Sequence, residues 1–359
     1  MTNSLEQQFE YNQRVVLLDV LRVTLALLIY MFHSKIHFQC NYGVLNGFVS
    51  VGALAMTGFF LLSGYVLRVV YGEKDLMGKN ELGKFYVKRL LAILPLYYIA
   101  ALFYVLFLGK ETWFENLMLL PIEALGIQST FTSLFGVTHN SGTWFISCLL
   151  LGYLIYPFLQ AAVKQLTNKQ KILLIVLLIG IELWATLIRI KFQTYRLYDN
   201  PFYRIIELAI GLLVADVNMT ADGKLMNVLR SWCMLVVMCV VLLVGVSLVV
   251  HLYCIQDYML LNWLVLPSLV MMLFGMGSKR VEWLEKSRLL RYASKISYAF
   301  FLSQFFVWPI GRCFVEWIGY DHNWVRILFT FSLCVVISVL MYGMVQERMI
   351  GSLRKKYNL

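Results

Sequence analysis

The chain of 359 residues is 60% hydrophobic, 15% aromatic and only 14% charged, with a net charge of +11, and its mean hydropathy is +0.72. Soluble domains are roughly a quarter charged, and this much apolar surface exceeds what one water-soluble core can hide. A soluble enzyme, a disordered chain and a disulfide-stapled secreted domain are thereby excluded, and an all-α polytopic membrane protein is expected. The basic excess suits membrane topology and contact with anionic lipid or nucleotide, not nucleic-acid binding.

In chain order the apolar runs predict ten spans, at 15–33, 47–67, 90–108, 144–163, 172–188, 201–217, 231–250, 258–276, 296–311 and 324–345. Several are wholly apolar, such as LVVMCVVLLVGVSLVV from Leu235 to Val250. None alternates as a barrel strand would, so the spans are helices forming one transmembrane bundle, and no internal repeat of 20–50 residues is evident. One domain is expected over 1–359, with short tails at 1–14 and 346–359. The first run follows a polar segment bearing Glu6 and Glu10 and has no small-residue cleavage pattern behind it, so no cleavable signal is expected. The seven cysteines lie mostly within apolar runs without a CxxC pair and read as small buried hydrophobes. A Cys40–Cys254 bridge would require both in outer loops.

With the N-terminus inside, inner segments carry 22 lysines and arginines and outer segments 6. The positive-inside rule then places both termini in the cytoplasm, in agreement with an even number of spans. Within the outer stretch 109–143, TWFENLMLLPIEALGI is expected to form a short interfacial helix. The inner stretch 68–89 is basic.

Ionisable groups inside a span are costly and face the bundle interior. The first span, LLDVLRVTLALLIYMFH, carries Asp19, Arg22 and His33. Taking Arg22 as zero on a helical wheel, Asp19 falls near about −60° and His33 near about +20°, so all three share one face. Arg22 and His33 are separated by roughly 16 Å along the axis, Arg22 toward the cytoplasm and His33 toward the outside. Two readings stand. One is a polar track, with Arg22 braced by Asp19 holding an anion and the imidazole acting as a base; the other is a structural ion pair plus an interfacial histidine. His37, four residues on, is placed in the outer loop, and two histidines alone are a weak metal signal, so no metal is expected. In the sixth span Arg204 and Glu207 are spaced as a helix ion pair, with Glu207 near the depth of His33, where a carboxylate can orient an imidazole. Glu182, in mid-span, reads as packing glue whose partner the sequence does not name.

These segments resemble the acyltransferase-3 family of integral-membrane acyltransferases that act on surface glycans. The opening helix has its arginine-to-histidine spacing at Arg22 and His33. TGFFLLSGYVL (57–67) is similar to its FFxLSGF segment, and FYVKRLLAILPLYY (85–98) to its FxxxRxxRxxP segment. TWFISCLLLGYLIYPFL (143–159) resembles its tryptophan-led fourth span, and PFYRIIELAIG (201–211) its RxxEFxxG pattern. ISYAFFLSQ (296–304) and VQER (345–348) are similar to its later SYxxYLxH and Glu-Arg-Pro segments. The shared order of these motifs runs almost from end to end. The chain departs from the pattern at Ala92, where the second arginine of RxxR would stand, at Gln304 in place of a histidine, and at Leu208 in place of phenylalanine.

The resemblance implies acyl-coenzyme A, acetyl-CoA above all, as donor substrate with no permanently bound cofactor, and a hydroxyl of a surface polysaccharide or lipid-linked sugar as acceptor, at the cell membrane. It makes His33 the base; Glu207, read at about the same depth, is the expected catalytic partner. Arg22, Asp19, Lys88, Arg89, Arg204, Gln304 and Trp144 are the expected donor- or substrate-binding residues. In the outer loop VTHNSGTW (137–144), His139 and Asn140 can hold sugar hydroxyls while Trp144 stacks on a ring; equally, this is a solvated loop before an anchoring tryptophan. Ser63-Gly64 reads as a close-packing pair, and without a GxSxG elbow no covalent serine step is expected. A glycan transporter or flippase, which would also carry intramembrane charges, and an inactive relative remain as alternatives.

Overall fold

A computed structural model of the chain describes residues 15–108, 112–130, 134, 139, 141–192, 197–254 and 257–357. The tail 1–14, Lys110, Asn140 and Arg196 lie outside the described residues. The fold is all-α, with no strand among the described residues. Among the described residues, nine helices are long and apolar enough to cross a membrane. In chain order, and with two further helices, they are α1 Val16–Phe38, α2 Gly52–Tyr71, α3 Lys79–Phe107, α4 Trp113–Leu125, α5 Trp144–Lys164, α6 Asn168–Phe192, α7 Pro201–Thr220, α8 Trp232–Tyr253, α9 Tyr258–Gly277, α10 Arg288–Ile318 and α11 Asn323–Lys356.

The two that fall outside the nine differ from each other. The α4 helix forms within the segment expected to lie at the interface. Thr112 caps it by accepting from the Glu115 backbone N–H while the Glu115 carboxylate accepts from Thr112, and Gly126 closes it in the left-handed conformation. The α7 helix is the expected sixth span: its 20 residues reach about 30 Å, enough for the hydrocarbon core. It carries Arg204, Glu207 and Asp216, too many charges to face lipid, and all three are buried. Asn200 caps it through the N–H groups of Phe202 and Tyr203, with Pro201 in the first turn.

Packing places α7 at the centre, against α2, α5, α6 and α9, while α1 lies between α2 and α10, and α10 packs on α11. The α2–α7 contact is reciprocal. A Cβ on Gly64 would run into the Leu208 carbonyl, and one on Gly211 into the Leu61 carbonyl. Without a hydrophobic drive between helices in lipid, such close backbone approach supplies the dispersion contacts that hold them. Gly64→Leu is therefore expected to destabilise the bundle by about 3 kcal/mol or more, read as a lower melting temperature of the protein in detergent. An unchanged melting temperature would show that the two helices are not held at this spacing.

Some sequence expectations are corrected. His37 lies in the last turn of α1, not in a loop, because the helix runs on to Phe38. Lys88 and Arg89 lie on α3, which begins at Lys79 within the inner stretch 68–89 and runs on through the expected third span. The last helix continues to Lys356 through most of the supposed tail. All seven cysteines are free. Cys40, Cys148 and Cys334 are buried as expected, but Cys233, Cys254 and Cys313 are exposed.

Candidate active site

Start at the Arg22 end of α1. Asp19, Arg22 and Ser294 of α10 form a small network: the Ser294 hydroxyl donates to Asp19 Oδ1 at 2.5 Å, and Arg22 reaches the same hydroxyl at 3.4 Å. The brace expected between Asp19 and Arg22 thus gains a serine from a helix 272 positions later. From Arg22 a cavity of about 300 Å³ leads into the bundle. Arg22, Ser294 and Lys295 line it together with Ser63, Ser297, Tyr153 and Tyr298, and Phe59, Phe60, Phe145 and Phe301 make it apolar. Ala92 lines it too, so the position that departs from the family pattern faces this space.

Arg89 stands beside this cavity. Its guanidinium donates to the Tyr71 hydroxyl at 2.7 Å and lies over the rings of Tyr71 and Tyr153, the latter a cavity wall. Lys88, the preceding residue, is half-buried and makes no hydrogen bond or ion pair with another described residue. The sequence did not single out two further basic groups at this end. Arg68 and Lys171, counted as loop charges, are buried and both bind the Asp216 carboxylate, Lys171 at 2.5 Å. Only their distant pairing with Asp216 distinguishes them from topology-setting loop charges.

The His33 imidazole is held among Phe301, Phe305 and His37, with ring centroids 6.0, 5.5 and 5.8 Å away. Phe301 therefore touches both the cavity and the imidazole. Nδ1 of His33 lies 2.7 Å from Gln304 Oε1. An amide oxygen only accepts, so Nδ1 carries the proton and Nε2 keeps its lone pair. Gln304 is fully buried on α10, which fixes the ring in that tautomer. Over this end, Gly142 sits against the Phe305 ring so closely that a Cβ would not fit.

The other expected site residues form a separate, buried cluster. Arg204 is 1% exposed and Glu207 0%. The guanidinium donates to Glu207 Oε1 at 2.6 Å, to Thr57 Oγ1 at 3.2 Å and to the Tyr198 carbonyl at 2.8 Å. It also lies over the rings of Phe60, Trp144, Tyr198 and Tyr203. Glu207 thus pairs with Arg204 and is not the group at the His33 ring. Equal depth along two helices does not bring side chains together unless the helices also turn the same faces inward. Trp144 is likewise corrected: at 5% exposure, packed on Tyr198 at 4.8 Å, it is a core residue beneath Arg204 and not a surface for a sugar. Glu182 joins this region fully buried. Its backbone carbonyl accepts from Thr186 and Tyr203, while its carboxylate oxygens make no hydrogen bond among the described residues. His139 is buried as well, with both ring nitrogens engaged, by Glu123 at 2.7 Å and Asn116 at 2.6 Å.

A basic mouth, an internal cavity and a histidine with one free nitrogen are the parts that an acyl transfer inside a bilayer requires. A family model described as an acyltransferase domain matches residues 15–343. The chain belongs to the acyltransferase-3 family. The match spans every residue discussed at this site, from Asp19 to Phe305. Neither the curated proteins nor the solved structures contain a match to the chain. The protein is thus a multi-pass membrane acyltransferase.

Proposed function

We propose that this acyltransferase moves an acetyl group from cytoplasmic acetyl-CoA to a hydroxyl of a surface polysaccharide or a lipid-linked sugar, in the cell membrane, with both termini inside. The observation that carries this reading is the line from Arg22, along the cavity, to Phe301 and His33. The excess of 22 lysines and arginines over 6 favours a cytoplasmic Arg22 end. That basic mouth, with Arg22, Arg89 and Lys88, would attract the polyanionic nucleotide of coenzyme A. Arg22 shares a helix face with His33 and lies roughly 16 Å from it, a distance for the flexible arm of the donor to span. The hydroxyl groups of Ser63, Ser297 and Tyr298 already donate to backbone carbonyls. Their oxygens remain free to accept from the amide N–H groups of that arm. The aromatic rings beyond them suit the thioester end, which passes Phe301 to reach the imidazole.

In the transfer, Nε2 of His33 takes the proton of the acceptor hydroxyl as its oxygen attacks the thioester carbonyl. The C–S bond breaks, and the leaving thiolate recovers that proton from the imidazolium. Gln304 keeps Nδ1 protonated throughout, so the ring always presents the same nitrogen. Positioning both reactants in a water-poor channel supplies much of the acceleration. Arg204 and Glu207 act here as a scaffold for α2, α5 and α7 and not as groups that meet the donor.

The test uses the purified full-length protein in lipid nanodiscs, with acetyl-CoA labelled in the acetyl group. Slow release of the label from coenzyme A is expected in the absence of acceptor, and surface glycans from cells producing the protein should gain the mass of an acetyl group. If label stays on coenzyme A and the glycans of producing and deleted strains have equal mass, the reading is wrong.

A further inference from the structure

Two helix stripes face each other at the His33 end. On α1, His37 is one turn beyond His33, offset by only about 40°, whereas Lys35 points to about the opposite side. On α10, Gln304, Trp308 and Arg312 recur at four-residue intervals and so share a face. The stripes meet rung by rung. His33 bonds Gln304, and the His37 ring stacks on Trp308 with 17° between planes. Next along comes Arg312, which lines with His37 a pocket of about 230 Å³. Phe38, Glu316, Asp321 and Arg326 are among its other walls.

Three properties set this pocket apart from the aromatic-walled cavity at the Arg22 end. It is lined chiefly by planar hydrogen-bonding groups of both signs, whose donors and acceptors match a polyol. It is braced: Arg326 grips Asp321 with two nitrogens and donates to the Phe38 carbonyl at 3.1 Å, and Asn41 and Asn323 exchange hydrogen bonds across the same seam. The hydrogen-bonded Arg326 holds the Asp321 carboxyl below the usual carboxylate range, which keeps it an ionised acceptor for hydroxyl groups. Arg312, by contrast, makes no ion pair among the described residues, so its five donors are uncommitted. The pocket also lies one residue away from the base, through His37. His37 lines it, and the His37 ring centroid is 5.8 Å from that of His33. A different pocket at this end, beside Lys35 and His251, lies on the far side of α1 from His33.

We infer that the His37–Arg312 pocket seats one sugar ring of the acceptor, with Arg312 forking onto neighbouring oxygens and His37 packing on the ring edge, so that a hydroxyl of that ring is presented to Nε2 of His33. This rests on the proposed acetyl transfer and adds to it where the acceptor sits. The volume is below that of sites for drug-sized ligands and admits a single ring, so a polymer would be read one unit at a time.

The experiment follows partition between acceptor and water. Permeabilised cells producing the full chain receive acetyl-CoA labelled in the acetyl group. Label on isolated surface polysaccharide and label released as free acetate are counted together. Because the ratio of the two is internal to each sample, it does not depend on protein amount. Loss of a hydrogen bond to a charged group should lower that ratio about tenfold or more in Arg312→Ala, less in Arg312→Lys, and measurably in His37→Gln. A variant that fails to fold loses both products, and the remaining variants then decide. Wild-type ratios in Arg312→Ala and His37→Gln would overturn the inference. Failure of the underlying reading looks different: wild-type protein would transfer no label, and His33→Ala would match it.

Discussion

His33→Ala is expected to lower acetyl transfer by about 10²–10⁴-fold, the range for loss of a positioned general base, while the protein stays monodisperse in detergent. The side chain is held by one hydrogen bond to Gln304 and by ring contacts to Phe301, Phe305 and His37. Its removal leaves a small gap near the end of α1 and breaks no ion pair, so folding should survive. Gln304→Leu separates tautomer control from basicity. It removes the acceptor at Nδ1 without changing the imidazole itself, so kcat should fall with little change in the KM for acetyl-CoA, since Gln304 does not line the donor cavity. The measurement is release of labelled acetyl from coenzyme A and its arrival on glycan. Full transfer by His33→Ala would remove the imidazole from the chemistry altogether.

The second large effect is expected at Arg204, and on folding instead of turnover. Arg204→Ala leaves the Glu207 carboxyl, at 0% exposure, without its only ion-pair partner among the described residues. Breaking one half of a buried pair destabilises by about 3–5 kcal/mol, and four aromatic rings also lose the cation they surround. The expected result is aggregation on extraction into detergent and little mature protein in membranes. Adding Glu207→Gln to Arg204→Ala should recover part of the folded protein, because the uncompensated charge is gone. That double variant distinguishes a scaffold from a donor site: recovery of acetyl transfer with an unchanged KM for acetyl-CoA is expected. Arg204→Ala with the stability of the wild-type protein would contradict the buried-pair account.

Both predictions depend on residues whose roles the sequence divided unevenly. Asp19, Arg22 and His33 were legible because they lie on one helix, where a fixed turn per residue converts spacing into direction. The α4 helix was legible as a contiguous apolar segment, while its Thr112–Glu115 cap emerged only from the structure. Glu207 was misread because its depth matched that of His33 while its azimuth was unknown. Trp144 was misread because a tryptophan at the head of a span resembles an interface anchor until its neighbours are known. Arg68, Lys171 and Asp216 were missed because two of them are ordinary loop charges until α2, α6 and α7 are brought together.

Sequence alone determined the membrane class, the helical state, the close approach at Gly64 and the common face of Arg22 and His33, since apolar length and helical period are properties of contiguous residues. The tertiary structure decided which group meets Nδ1 of His33, across 271 positions, and that Arg204 and Glu207 are enclosed. How far each helix is rotated about its axis depends on contacts such as Gly64 with Leu208 and Gly211 with Leu61, and no local spacing carries that rotation.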